Sequence, residues 1–319
     1  MGANFGEQRI VFDNGIEGEP LTIESGSPAS YFEAISSPKS VTQTEIDAKL
    51  FVPQGKGPFP VVIVVPGSLG VAPSHLAHAE TATGLGIAAC VIDPFGRRQV
   101  TSTVANQAQY SFAASAWDVL ATAKLLASHP EIDPDRIGAQ GHSRGGTAVM
   151  TAAMRDFAGA FGHISLAAVY AAYPWCGHQF IVPEIGQTML RAVIGDRDEW
   201  CSPQQVQGHI HAIALTGGNV SFRLFEGAQH SFDRGTEIEM VADASVAPCA
   251  PTCYVARDGA LIHPLTGEPD PNLGERDVMV YGMKAGYGRR GARIGSEGNQ
   301  AQQFRADMIA FWREAFART

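Results

Sequence analysis

Hydrophobic residues fall along this chain in two rhythms. Phe59-Pro60-Val61-Val62-Ile63-Val64-Val65 is an unbroken, largely β-branched run, the pattern of a strand buried on both faces. Shorter runs of like character predict strands over Ile87–Asp93, Arg136–Gln140, Ser165–Ala172, Met189–Ile194 and Val220–Phe225. Between them, helical spacing predicts helices over His75–Thr83, Val104–Ser128, Gly145–Asp156 and Pro203–Leu215, the last opened by Ser202 as N-cap. Ahead of this alternation, Leu21–Ile23, Ala29–Ile35 and Thr44–Val52 read as N-terminal strands between Gly, Pro and Ser breaks. At the far end, Ala301–Arg318 sets Phe304, Met308, Phe311, Trp312 and Ala315 on one stripe and reads as a helix packed on the core.

Strand and helix in alternation predict an α/β fold. The expected form is a mostly parallel central sheet with helices on both faces, antiparallel strands at the N-terminus, and a ligand crevice at the strands' C-terminal edge. Residues 233–299 break the alternation. They are rich in Gly and Pro and carry only weak strand signals at Cys253–Val255 and Val278–Tyr281. So long a stretch without strong elements is uncommon inside a compact domain, and it is read as an insertion folded onto the body near the crevice. The chain is thus expected to be a single domain over 1–319, with a strand extension over 1–45 and the insertion before the last helix.

Composition narrows the partners. The net charge of −9 offers no basic face for nucleic acid or an anionic membrane surface. No apolar run reaches the length that spans a bilayer, and Met1–Glu7 lacks both the basic and the apolar part of a signal peptide. The expectation is a soluble chain, either cytoplasmic or a mature form whose leader has been removed. Five cysteines enter that choice. Cys90 sits in an apolar run and reads as a buried free thiol. Cys249 and Cys253 are close enough in sequence for a local disulfide, and Cys176 and Cys201 each follow a predicted strand end, within bonding reach if those strands are neighbours. Two disulfides would favour a periplasmic or secreted protein over a cytoplasmic one.

The chemistry centres on Gly141-His142-Ser143-Arg144-Gly145, which lies between a predicted strand and a small-residue helix. A serine at such a turn is lifted above the sheet in backbone geometry that flanking glycines tolerate, with a helix N-terminus behind it. Ser143 is therefore the candidate nucleophile. A serine hydroxyl needs a base and a group that orients the base. The chain supplies carboxylates in Gly195-Asp196-Arg197-Asp198-Glu199 and a histidine in Ala228-Gln229-His230-Ser231, each after a predicted strand and in the order Ser, acid, His. Asp198, deeper in its loop than Asp196, is the candidate acid, and His230 the candidate base. The oxyanion donors are expected at the backbone N–H of Arg144 and, in Pro66-Gly67-Ser68-Leu69-Gly70, at Ser68 or its neighbour Leu69, with Ser68 chosen. Trp175 and Trp200 follow strand ends and are candidate pocket walls, with His178 a further candidate. His142 reads as a packing residue. No phosphate loop or dinucleotide fingerprint is present, and Cys249 and Cys253 lack a second Cys/His pair, so no cofactor or metal is expected.

These landmarks together resemble the dienelactone hydrolase family of the α/β-hydrolase superfamily. The resemblance rests on Pro66–Val71, Asp93–Gln99, the Gly141–Gly146 elbow, Gly195–Asp198 and Ala228–Arg234. It implies the α/β-hydrolase fold and the roles already given to Ser143, Asp198 and His230. It further implies that Arg98 and Arg234, which match two arginines that grip a substrate carboxylate in the founding enzymes, bind substrate here, the alternative being ordinary surface ion pairing. Those founding enzymes carry cysteine at the elbow and are shorter, lacking both the extension and the insertion. The resulting expectation is a serine carboxylic-ester hydrolase working through an acyl-enzyme on a small or medium ester or lactone. A serine peptidase or acyltransferase with the same triad is the nearest alternative, and a non-catalytic binding protein on this scaffold the alternative of another class. Oligomeric state is left open.

Overall fold

A computed structural model describes residues 5–317. The chain opens with strand β1 (Glu19–Gly26), helix α1 (Tyr31–Ser36) and β2 (Gln43–Phe51). There follow β3 (Phe59–Val65), α2 (Pro73–Thr83), β4 (Ala88–Asp93), α3 (Phe112–Leu126), β5 (Ile132–His142), α4 (Arg144–Ala153), α5 (Arg155–Phe161), β6 (Ala168–Ala172) and β7 (His178–Phe180). Then come β8 (Met189–Gly195), α6 (Pro203–Leu215), β9 (Asn219–Phe225), β10 (Glu239–Val246), β11 (Cys253–Val255), β12 (Leu261–Ile262), β13 (Pro269–Asp270), α7 (Glu275–Lys284), β14 (Arg289–Ile294) and α8 (Gln300–Phe316).

Eight strands form the central sheet in the order β1-β2-β4-β3-β5-β6-β8-β9. β1 and β2 join antiparallel, whereas every pairing from β4 to β9 is parallel. This is the α/β-hydrolase arrangement. All seven residues of β3 are buried, as its unbroken apolar run requires of a strand covered on both faces. The strand order turns back at β3, which has β4 on one side and β5 on the other, and a crevice opens where the loops after β3 and β5 diverge. α8 lies against the sheet through Phe304, Met308, Phe311 and Trp312, all essentially buried, and the Trp312 indole N–H donates to Gln140 Oε1 at 2.9 Å. The predicted end of this helix, Arg318, lies outside the described residues. None of the described helices is long and apolar enough to cross a membrane.

Three elements differ from their sequence expectation. Ala29–Ile35 was expected as a strand, but Tyr31–Ser36 is helix. Ser30 Oγ accepts from Glu33 N–H and the Glu33 carboxylate accepts from Ala29 N–H, a reciprocal cap that outweighs the local apolar content. The helix expected from Val104 begins only at Phe112, where Ser111 caps it. The insertion is built of small pieces. β10 pairs with β14 as an antiparallel ribbon, while β13, β12 and β11 extend a four-stranded sheet to β7 of the body. Val278–Tyr281, expected as a strand, lies inside helix α7.

Candidate active site

Ser143 sits between the last residue of β5 and the first of α4, at φ 55° and ψ −116°. That backbone is costly for a residue with a side chain, by about 1–3 kcal/mol, and is held by what surrounds it. The positions two residues to either side must be glycine. A Cβ on Gly141 would lie 2.0 Å from Gly145 O, and one on Gly145 would lie 2.3 Å from Val65 O. The turn can therefore fold tightly over the end of β3, and Ser143 N–H donates to Ala172 O at 2.9 Å.

His230 follows β9, and its Nε2 lies 2.9 Å from Ser143 Oγ. Its Nδ1 lies 2.7 Å from Asp198 Oδ2, beyond the end of β8. The other carboxylate oxygen of Asp198 accepts the Trp200 and Cys201 amides, each at 2.8 Å. The acid is thereby fixed by three donors. Asp196 goes elsewhere, accepting from Gly227 N–H at 2.7 Å and tying together the turns after β8 and β9. The Trp200 ring stacks on the His230 imidazole with centroids 5.2 Å apart and planes at 16°. From the insertion, β14 bridges to the His230 backbone, whose carbonyl accepts from Gly295 N–H at 2.9 Å.

Ser68, Arg144 and Ser143 share the wall of one cavity. Arg144 opens α4, so its backbone N–H has no partner inside the helix. The Arg144 guanidinium turns inward to Gln107 O and Oε1, Ser115 Oγ and Tyr110 O, and lies 4.1 Å over the Phe112 ring. Ser68 Oγ is itself bonded to the Gln107 side chain at 3.0–3.1 Å. Leu69, the neighbour weighed against Ser68, is exposed.

The cavity has a volume of about 810 Å³. Trp175, stacked on Phe112 at 4.6 Å, and Trp200 border it, as does His178. Burial pushes the His178 imidazole down to about 3, which leaves it neutral. Helix α7 of the insertion roofs the space with Val278, Met279 and Met283. Its first residue, Glu275, is buried, and both carboxylate oxygens accept the Phe112 N–H at the start of α3, at 2.9 and 3.1 Å. Desolvation raises the Glu275 carboxyl to about 7, against the opposing pull of Arg144.

The two arginines divide. Arg234 lines the narrow recess around Ser143 and His230, together with His75 and Ile294. Arg98 does not reach the crevice, and the substrate-binding role expected for it is corrected. Its fork is bidentate on Asp118 at 2.8 and 2.9 Å, and its remaining N–H groups go to Ser27 Oγ, Pro94 O and Gly26 O. A guanidinium has five donors, and all five are spent inside the protein. The expected disulfides are corrected as well, because all five cysteines are free thiols. Cys249 is exposed, whereas Cys253 is buried in β11 with its thiol on Ile262 O at 3.1 Å. Cys176 and Cys201 are both buried and unbonded. The pairing argument for an oxidising compartment falls with them.

A buried polar cluster behind Ser143 escaped sequence reasoning. Asp233 takes a hydrogen bond from Tyr173 OH at 2.6 Å and lies 2.8 Å from His78 Nε2, and these partners hold its carboxyl well below the usual range against the cost of burial. The Tyr173 ring meets the His230 ring edge-on at 4.7 Å. The signal was His75 and His78, one turn apart on a helix otherwise rich in alanine. His78, His142 and Asp233 bring ligand atoms within 4.8 Å of one another, as do Asp198, Cys201 and His230. In the first group the His78 and His142 rings stack with planes at 7°, so their in-plane lone pairs do not converge on one point. In the second, Asp198 and His230 already bond to each other.

Comparison with known proteins agrees with this architecture. A mouse protein, acyl-coenzyme A thioesterase 6, is 28% identical over 192 residues, covering 59% of this chain and 44% of the thioesterase, so the match takes in less than half of that relative's length. Among solved structures, the dienelactone hydrolase-like promiscuous phosphotriesterase P91 from metagenomic libraries superposes with a TM-score of 0.50 at 18% identity, covering 68% of this chain and 84% of that one. A putative dienelactone hydrolase from Klebsiella pneumoniae gives 0.49 at 17% identity, covering 67% and 89%. The model of the dienelactone hydrolase family matches residues 46–250, from β2 through the turn that carries Ser143 and the His230 loop into the insertion, and the chain belongs to that family of hydrolases.

Proposed function

We propose that this hydrolase cleaves carboxylic esters through a serine acyl-enzyme. The observation that carries the reading is the unbroken relay Ser143 Oγ, His230 Nε2, His230 Nδ1, Asp198 Oδ2, with steps of 2.9 and 2.7 Å. Ser143 Oγ attacks the carbonyl carbon while its proton passes to His230 Nε2. Negative charge grows on the carbonyl oxygen, where the Arg144 and Ser68 N–H groups are the proposed donors. Collapse of the tetrahedral species breaks the bond to the alkoxide, which takes the proton from His230. Water then repeats the sequence on the acyl-enzyme and releases the acid. Asp198 orients the imidazole and stabilises its cation.

The same steps serve a thioester, a reading favoured by the resemblance of residues in this chain to a thioesterase. Fluorophosphonate labelling followed by peptide mapping tests the core of the proposal. One adduct on Ser143 is expected, with ester turnover falling by about 10⁴–10⁶ in Ser143→Ala. Turnover that survives this substitution in a folded protein would remove the reading.

A further inference from the structure

The large cavity has a one-sided charge. Arg144, Arg276 and Lys284 are among the residues that line it, and no Asp or Glu does, among the described residues. This is unexpected in a chain with 23 Lys and Arg against 32 Asp and Glu. Five of those cations, Arg276, Lys284, Arg289, Arg290 and Arg293, fall within the short segment that forms the roof helix and β14. Arg144 is satisfied internally, and Arg293 pairs with Glu199 at 3.4 Å. Arg289 and Arg290 donate to backbone carbonyls, among them Glu199 O and Asp243 O. Arg276 and Lys284, at the two ends of the roof, have no hydrogen-bond or ion-pair partner among the described residues.

Between these ends the roof is apolar. Val278, Met279 and Met283 line the same space as Phe112 and Trp175. Methionine is an unbranched, adaptable side chain suited to a flexible aliphatic guest. About 810 Å³ is far more than a small lactone fills, and it lies in the range of pockets that enclose drug-sized molecules. Successive residues of a helix rise 1.5 Å, so the two cations stand about 12 Å apart along its axis. An apolar guest lying beneath α7 therefore ends at one cation or the other.

We infer that the substrate is an anionic amphiphile: an ester with an apolar body of several carbons and a terminal carboxylate or phosphate that pairs with Arg276 or Lys284. The inference rests on the ester-hydrolase reading, in which the carbonyl meets Ser143 at the inner end of the same cavity. It assigns the insertion the task of selecting substrate by charge, through residues on α7 rather than through Arg98.

The test compares 4-nitrophenyl esters of one chain length with three termini: methyl, carboxylate and phosphate. At low ionic strength, kcat/KM for at least one anionic ester is expected to exceed that of the neutral ester by about tenfold, as charge-assisted contacts at a partly exposed site allow. The preference should shrink as salt is raised from about 10 mM to about 0.5 M, where screening reaches across only a few ångströms. In Arg276→Gln/Lys284→Gln the ratio should approach one, and in Arg276→Glu/Lys284→Glu it should invert. The single variants identify the end that holds the anion, and the larger of the two anionic arms identifies the head group. If a double variant misfolds, the single variants Arg276→Gln and Lys284→Gln decide, because salt alone does not separate these cations from Arg234 beside Ser143. A ratio of one or below for both anionic esters, or a preference insensitive to salt and surviving charge reversal, overturns the inference alone. No turnover of any ester, or turnover that survives Ser143→Ala, overturns the hydrolase reading and this inference with it.

Discussion

Asp196 and Asp198 stand two residues apart on one loop, and their hydrogen bonds separate their tasks. Asp198 faces His230, while Asp196 holds a turn. In the proposed mechanism, Asp198→Asn leaves the imidazole with the wrong tautomer and lowers kcat by about 10⁴-fold. Asp196→Asn keeps an acceptor for Gly227 N–H and should lower kcat by less than about tenfold, the loss of one exposed hydrogen bond. Steady-state kinetics on both folded variants checks this, and reversed effects would assign the acid to Asp196. Arg98 makes the complementary case. Its partner Asp118 is fully buried and also holds Ser25 Oγ at 2.5 Å and Tyr110 OH. Arg98→Met should cost about 3–5 kcal/mol in urea unfolding, because it strands a buried carboxylate. A cost under about 1 kcal/mol would mean that solvent reaches the pair. The candidate site was legible where chain order and strand ends dictate it, since Ser143, Asp198 and His230 do come together in one hydrogen-bonded chain. Arg98 was misread because Asp118 lies twenty residues on, in a helix whose other residues are mostly apolar.

At the scale of elements, α7 shows what short-range patterns conceal. Val278-Met279-Val280-Tyr281 has strand-like composition, yet Glu275 and Asp277 in the first turn and Lys284 in the last complement a helix dipole. The two- and three-residue strands of the insertion carry no period at all, and they exist only because β7 offers an edge to pair with. The same helix carries a pH dependence. The Glu275 carboxyl is raised to about 7, above its unfolded value, so its contribution to stability is full below about pH 4.5 and is lost as pH rises through 7. The integrated loss is about 3 kcal/mol at one decade per 1.36 kcal/mol. Glu275→Gln keeps an acceptor for Phe112 N–H without a charge to bury. Relative to the unaltered protein, this variant should gain stability between about pH 4.5 and pH 7 and level off above that, read from melting temperatures in matched buffers. Parallel pH curves for the two proteins would show that the folded Glu275 carboxyl titrates as it does in the unfolded chain, with burial causing no shift.

The whole molecule is an α/β sheet, predicted from its alternation, onto which a less readable loop assembly closes the cavity beside Ser143. Its points of entry and exit are adjacent. Ser296 N–H donates to Thr236 O at 2.9 Å, so residues 237–295 leave and rejoin the body at one place. Replacing them with a short glycine linker therefore imposes little strain on the central sheet, whose eight strands all lie outside the excised segment. Three of the contacts that would go bear on the cavity: the bridge from Ile294 to His230, the Glu275 cap on α3, and the pairing of β11 with β7. The first holds the proposed base, and the other two hold the roof over the cavity. The excised protein should fold with lowered stability and retain turnover of a two-carbon acyl ester at a reduced kcat. Its kcat/KM should no longer rise with acyl chain length, because the apolar surface of α7 that rewards each added methylene, by about 0.8 kcal/mol when fully buried, is absent. Circular dichroism establishes the fold, and a series of esters from two to ten carbons reads the dependence. A slope equal to that of the intact protein would place the chain-length pocket in the body, against Phe112 and Trp175, and leave the insertion with only the clamp on His230.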